Sequence, residues 1–218
     1  MEDGQPFSER GDATFREIPS DVNQDHLRIW HLGYDHGPAD NDINCIFPID
    51  RFRELQREGV IGSLAETYYS FMGLIPDARG LIKDTAPEAA RRLKAAGVDA
   101  VFLASNGPVC NRSVGLVARA IEAEGIPTVI VMMYRQMAEA IRAPRVAYVR
   151  FPFGQPLGEA GNADQQRVIV EDALKLLVTA SEPGIVHPLP YRWRREDYAA
   201  IRAGRGNVLE GIPVPGDD

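Results

Sequence analysis

Only 2 cysteines occur in 218 residues. That is too few for a disulfide framework, and Cys45 and Cys110 sit in unlike contexts with no sign of pairing. No window reaches the ~18 apolar residues of a membrane-spanning helix. The opening "MEDGQPFSERGD" is polar and acidic and lacks the apolar heart of a signal peptide. These absences lead to the expectation of a cytoplasmic protein with no membrane contact. Basic charge is also scarce: 24 Lys and Arg against 31 Asp and Glu give a net charge of -7. A phosphate-binding surface needs a basic excess or a dense basic patch, so the balance argues against nucleic acid as a partner. The one basic cluster, "RWRR" at Arg192–Arg195, reads as a solvated surface turn. The sequence also lacks a P-loop, a GxSxG elbow and the GxGxxG fingerprint of dinucleotide binding. No internal repeat or low-complexity segment is seen.

What remains is an α/β chain, 44% hydrophobic and able to bury a core. Residues 1–24 lack periodicity and read as a loose arm. A single α/β domain is expected over 25–205, and an extended Gly- and Pro-rich tail over 206–218. "HLRIWHLG" is a plausible first strand, followed by a polar loop, "YDHGPADNDIN". "PIDRFRELQREG" has helical spacing, and "TYYSFMG" has strand composition. From residue 85 the alternation is regular. "TAPEAARRLKAAG" reads as a helix with Thr85 as N-cap and Gly97 as stop. "VDAVFLAS", "IPTVIVMM" and "RVAYVRFPFG" read as buried strands. "CNRSVGLVARAIEAEG", "YRQMAEAIRA" and "NADQQRVIVEDALKLLVTA" read as the helices between and after them. Such alternation predicts a Rossmann-like parallel sheet flanked by helices.

In such a sheet ligands bind beyond the carboxyl ends of the strands, where strand order reverses. Three polar stretches leave predicted strands: "YDHGPADNDINC", "NGPVCNRS" and "RFPFGQPLGE". Their convergence is the predicted site. In the second, Gly107 and Pro108 make a turn and Cys110 opens a helix. Unpaired N–H groups and the partial positive charge of a helix N-terminus would depress the pKa of Cys110. Equally, a cysteine there is a small buried hydrophobe packing the first turn. Asn106, Gly107, Arg112, Ser113 and Arg150 are candidate substrate contacts, the arginines for anionic groups. His31, His36 and Asp35 are candidate proton carriers, with a packed loop role as the plainer alternative for the histidines. His31, His36, Cys45 and Cys110 together are a minority metal reading, because their spacing matches no compact zinc signature. His187 lies in a Pro-rich segment and reads as structural. No cofactor is called for by any motif. Self-association is common for chains of this size, but no interface can be read.

Beyond these readings, the chain resembles the selenoprotein B family of the glycine, sarcosine, betaine and D-proline reductases. The resemblance runs from about His31 to Arg195. It is carried by "INCIFPIDRFRELQREGVIGSLA", "YYSFMG", "LKAAGVDAVFLAS", "GPVCNRSVGLVARAIEAEGIPTV", "RFPFGQPLGE" and "LPYRWRR". It implies a selenocysteine or cysteine, two residues, then a cysteine, at a strand-to-helix turn. It also implies attack of selenolate or thiolate on the α-carbon of an activated amine, with a pyruvoyl-type partner and a small redox partner protein. The second cysteine of that motif falls on Cys110, the motif arginine on Arg112, and a frequent later cysteine on Ser113. The first reactive position falls on Gly107, which has no nucleophile. A reductase-related enzyme acting on a small, anionic, amine- or sulfur-containing molecule through one cysteine is therefore expected. The alternatives are a noncatalytic ligand- or partner-binding subunit and a metalloenzyme using the histidine–cysteine loop.

Overall fold

A computed structural model describes residues 5–30 and 33–212. His31 and Leu32, and residues 213–218 of the predicted tail, lie outside them. The core is a parallel sheet of β3 (Val101–Ala104), β4 (Thr128–Met132), β5 (Arg145–Tyr148) and β6 (Ile185–Pro188), side by side in chain order. The connecting helices are α4 (Cys110–Ala123), α5 (Arg135–Ile141) and α6 (Ala163–Thr179). The predicted α/β class and the sheet flanked by helices are thus observed.

β4 shows why both faces are covered. All five of its residues are buried. Val129 and Val131 pack with Val168 and Ile169 of α6. Ile130 and Met132 pack with Ala118 of α4 and Ala138 of α5 on the other face. Alternation along a strand sends successive side chains to opposite faces, so a continuous apolar run needs two covers. The sheet steps in one direction while α4 and α6 lie on opposite faces. Their two crossovers therefore have opposite hands, and one is of the uncommon left-handed kind. The long connection over 149–162 leads into the second of them.

Ahead of the sheet come α1 (Gly37–Asn41), α2 (Ile49–Arg57) and α3 (Ala86–Ala95), and an antiparallel pair, β1 (Phe15–Pro19) with β2 (Thr67–Phe71). A final short helix, α7 (Tyr198–Ala203), contributes Tyr198 to the α6-side core.

Several expectations are corrected. Residues 15–19 are not a loose arm, because they complete a ladder with β2. Residues 27–30 of "HLRIWHLG" form no strand. Thr85 does not cap α3: it is itself helical, and its hydroxyl donates to the Ala13 carbonyl at 2.5 Å. The described part of the tail is turned, not extended, and Leu209 packs on the core. Strand order in the sheet never reverses, so no switch point exists to make a crevice. The loops are gathered instead by the segment at residues 33–48, which lies over the carboxyl edge. Among the described residues, no helix is long and apolar enough to cross a membrane.

Candidate functional site

The three predicted loops do meet. Backbone groups join them: Gly154 N–H donates to Asn106 O at 2.6 Å, and Leu157 N–H donates to Cys45 O at 3.1 Å. The Cys45 thiol also points to Gly154 O, at 3.6 Å. A buried anchor fixes the turn after β3. Asn111 donates from Nδ2 to Gly107 O at 2.7 Å and accepts on Oδ1 from Met133 N–H at 3.3 Å, tying the turn to the end of β4. The helix that starts at Cys110 is therefore held from both sides.

Cys110 is half-buried, and Gly73 lies against it. Ser113, one turn on, donates to Gly73 O at 2.8 Å and is itself buried. Burial pushes the Cys110 thiol up; backbone N–H groups of Asn106, Gly107 and Cys110 pull the other way and do not win. The expected depression is thus corrected: the amides are there, but loss of water outweighs them. Cys45 is fully buried, and burial followed by the charge of Asp42 pushes its thiol up to about 12.

Tyr34 was missed by sequence reasoning. Its ring lies between Gly107 and Gly154. A Cβ built at Gly107 would be 2.9 Å from Tyr34 Cδ1, and one at Gly154 would be 2.9 Å from Cδ2. Gly154 also has φ +86°, where side chains are disfavoured. Burial, then the charges of Cys110, Cys45 and Asp40, raise the Tyr34 phenol, while a hydrogen bond with the Asn106 side chain opposes them.

The other candidates are placed as follows. Asp35 accepts from Gly37 N–H at 3.0 Å, and His36 Nδ1 pairs with Asp40 at 2.6 Å; both are local contacts at the start of α1. The Arg112 guanidinium bonds the Ile75 carbonyl. Arg150 is exposed. Among the described residues, no group of three or more His, Cys, Asp or Glu could hold a metal ion, and His31 falls outside them. A pocket of about 280 Å³ opens beside the turn, lined by Glu9, Trp30, Met72, Leu74, Pro108 and Val109. Neither Arg112 nor Arg150 lines it.

Asp42 clamps the loops below. Its carboxylate accepts from Gly161 N–H at 2.8 Å, from Gln166 Nε2 at 2.7 Å, and from both nitrogens of Asn44. Burial raises this carboxyl, but those bonds outweigh it and the net shift is downward. A lowered folded-state value means stability that is present above the unfolded value and is lost as pH falls through the folded one. Asp42→Asn is expected to cost about 1–3 kcal/mol at neutral pH. Urea midpoints followed from about pH 6 to pH 3 are expected to fall less steeply in the variant than in the wild type.

Comparison with known proteins decides the family. The chain is 40% identical over 193 residues to the D-proline reductase subunit gamma of Acetoanaerobium sticklandii, covering 88% of this chain and 80% of that one. The chain belongs to the selenoprotein B family. Residues 16–106 match the family described as glycine/sarcosine/betaine reductase selenoprotein B, a span that stops one residue short of Gly107. The glycine reductase complex component B subunit gamma of Peptoclostridium litorale is 33% identical over 168 residues, 74% of this chain and 38% of that one. The sarcosine reductase complex component B subunit beta of Peptoclostridium acidaminophilum is 33% identical over 162 residues, 72% and 37%. This family member therefore spans less than half the length of those two relatives. No solved structure matches it. The relatives are named as reductase subunits, which supports a reductase-related role.

Proposed function

We propose that this selenoprotein B family member is the thiol subunit of a reductase complex. It handles a small amine- or sulfur-containing anion in a cytoplasmic setting, with Cys110 as its working atom. The observation that carries the reading is the convergence of three loops on Cys110 at the carboxyl edge of β3, with three backbone N–H groups at its sulfur. Ser105 Oγ and Asn106 Oδ1 support it: both are buried at that edge with no hydrogen-bond partner among the described residues, and a polar ligand would satisfy them. In the chemistry proposed, the Cys110 thiolate forms a C–S bond to the substrate α-carbon as the C–N bond breaks. The amine leaves with the bonding pair and takes up a proton. Because Gly107 offers no thiol, an external thiol then attacks the Cys110 sulfur: an S–S bond forms as the C–S bond breaks, the carbon leaves with the pair and takes up a proton, and a second external thiol reduces the mixed disulfide to restore Cys110. Activation of the amine belongs to a pyruvoyl-type partner subunit, and no cofactor is assigned to this chain.

Co-purification with its partner subunits, and turnover of small amino acids (D-proline and glycine first) with a dithiol as reductant, tests this. Cys110→Ser is expected to lower turnover at least about a hundredfold, while Cys45→Ser keeps it. Retained turnover in Cys110→Ser would remove the assigned role. A partner-binding subunit without chemistry is the second reading. It is favoured by the raised thiol, and it predicts complex formation without turnover in the wild type too.

A further inference from the structure

We propose that Tyr34 is the positioning residue of the Cys110 turn: its ring takes the space that a side chain at position 107 would fill, and so shields the Cys110 thiol from a second thiol there. The geometry is specific. A Cβ built at Gly107 would be 3.4 Å from Cys110 Sγ, close to the reach of a two-sulfur bridge, so the backbone at position 107 still aims at the cysteine. That same Cβ would be 2.9 Å from Tyr34 Cδ1 and 3.5 Å from Cε1. The opposite edge of the ring is met at Gly154, where a Cβ would be 2.9 Å from Cδ2 and 3.4 Å from Cε2. Two backbone segments, after β3 and after β5, thus make a slot with a glycine on each wall. The Gly154 N–H to Asn106 O bond holds the walls at this spacing. A ring edge needs just such a gap, and a Cβ on either wall would close it.

Gly107 and Tyr34 are therefore a matched pair. The ring also displaces water from the Cys110 side of the turn, in keeping with the direction of the thiol's shift. The hydroxyl is hydrogen-bonded with the Asn106 side chain. The shielding itself comes from the ring carbons.

The test uses the full chain and reads the thiol directly. Iodoacetamide alkylation of Cys110 is followed against pH in wild type, Y34F, Y34A and Y34L. Y34A is expected to react about tenfold faster at a given pH, with its profile moved down toward an ordinary thiol. Y34F is expected to track the wild type, because it keeps the ring. Separately, G107C and the double variant Y34A/G107C are treated with diamide, whose azo group takes up the two electrons and two protons released when two thiols join. The peptide spanning 105–115 is then weighed. The double variant is expected to carry the bridge to Cys110, and G107C alone is expected to be destabilised and unbridged. If Y34A does not fold, Y34L carries the same readouts with a smaller side chain in the slot. A bridge formed equally well in G107C alone, or an alkylation profile that does not move in Y34A or Y34L, would overturn the assignment. No substrate is needed, so a negative result here is separable from failure of the reductase reading.

Discussion

Gly73→Ala is expected to destabilise the fold by at least about 1–3 kcal/mol and to loosen the Cys110 turn with it. The added methyl would overlap Cys110 Sγ and lie 2.7 Å from its Cα and 2.8 Å from its N. Two of those atoms are backbone at the first turn of α4, which cannot swing aside as a side-chain tip can. The loop would have to retreat, and retreat strains the Ser113 bond to Gly73 O. Gly115→Ala is the internal control. There the methyl meets the tip of Ile141, Cδ1 and Cγ1, and a rotamer change relieves much of the contact. Urea midpoints are expected to rank Gly73→Ala well below Gly115→Ala. Alkylation of Cys110 is expected to speed up only in the former, because only there does the sulfur lose its packed neighbour.

The second large effect is expected far from the thiol. Arg167, with only 3% of its side chain exposed, joins α6 to the end of α2. Its guanidinium bonds Glu171 at 2.6 Å and Glu58 at 2.5 Å, with Glu54 at 3.6 Å. Glu171 is itself 8% exposed on its side chain, so removing the arginine leaves a buried carboxylate with only the more distant Arg205, at 3.8 Å, as ion partner. Arg167→Ala is expected to cost about 3–5 kcal/mol, by far more than loss of a surface pair. The pair is not thereby a net gain over an apolar filling: Arg167→Met with Glu171→Leu is expected to recover much of the loss. Chemical denaturation of the two variants side by side checks both statements. Equal stability of Arg167→Ala and wild type would mean that the buried hub is not formed.

Much of this was legible from residue pattern. The alternation from residue 85 onward sets out α3 to α6 and β3 to β5 because short runs apolar on both faces alternate with longer stretches of helical spacing. The meeting of the three polar loops was legible too, but for a reason that does not hold: the sheet has no reversal, and the segment at 33–48 does the gathering. β1 was missed because "FREIP" carries charge and proline, and its partner lies about fifty residues away. β6, "IVHP", is a short edge strand that ends in proline and gives no periodic signal. Tyr34 was invisible for a different reason. Nothing in "LGYDHG" shows that two glycines, at positions 107 and 154, will face its ring from separate loops. Asn111 was overlooked between Cys110 and Arg112, although a buried amide that bridges two backbone groups shapes the turn more than either. Arg112 is a different case. A cation one turn into a helix invites an anion-binding role, and here its guanidinium is engaged by the Ile75 carbonyl.

Cys110 is the half-buried and therefore more accessible of the two thiols, Cys45 being fully buried. Time-resolved alkylation of the native chain, mapped by peptide mass, tests it most directly. The predicted result is modification at Cys110 first, growing with pH above the ordinary thiol range, with Cys45 untouched until the chain unfolds. Cys45 reacting first, or Cys110 staying inert until denaturant is added, would contradict it.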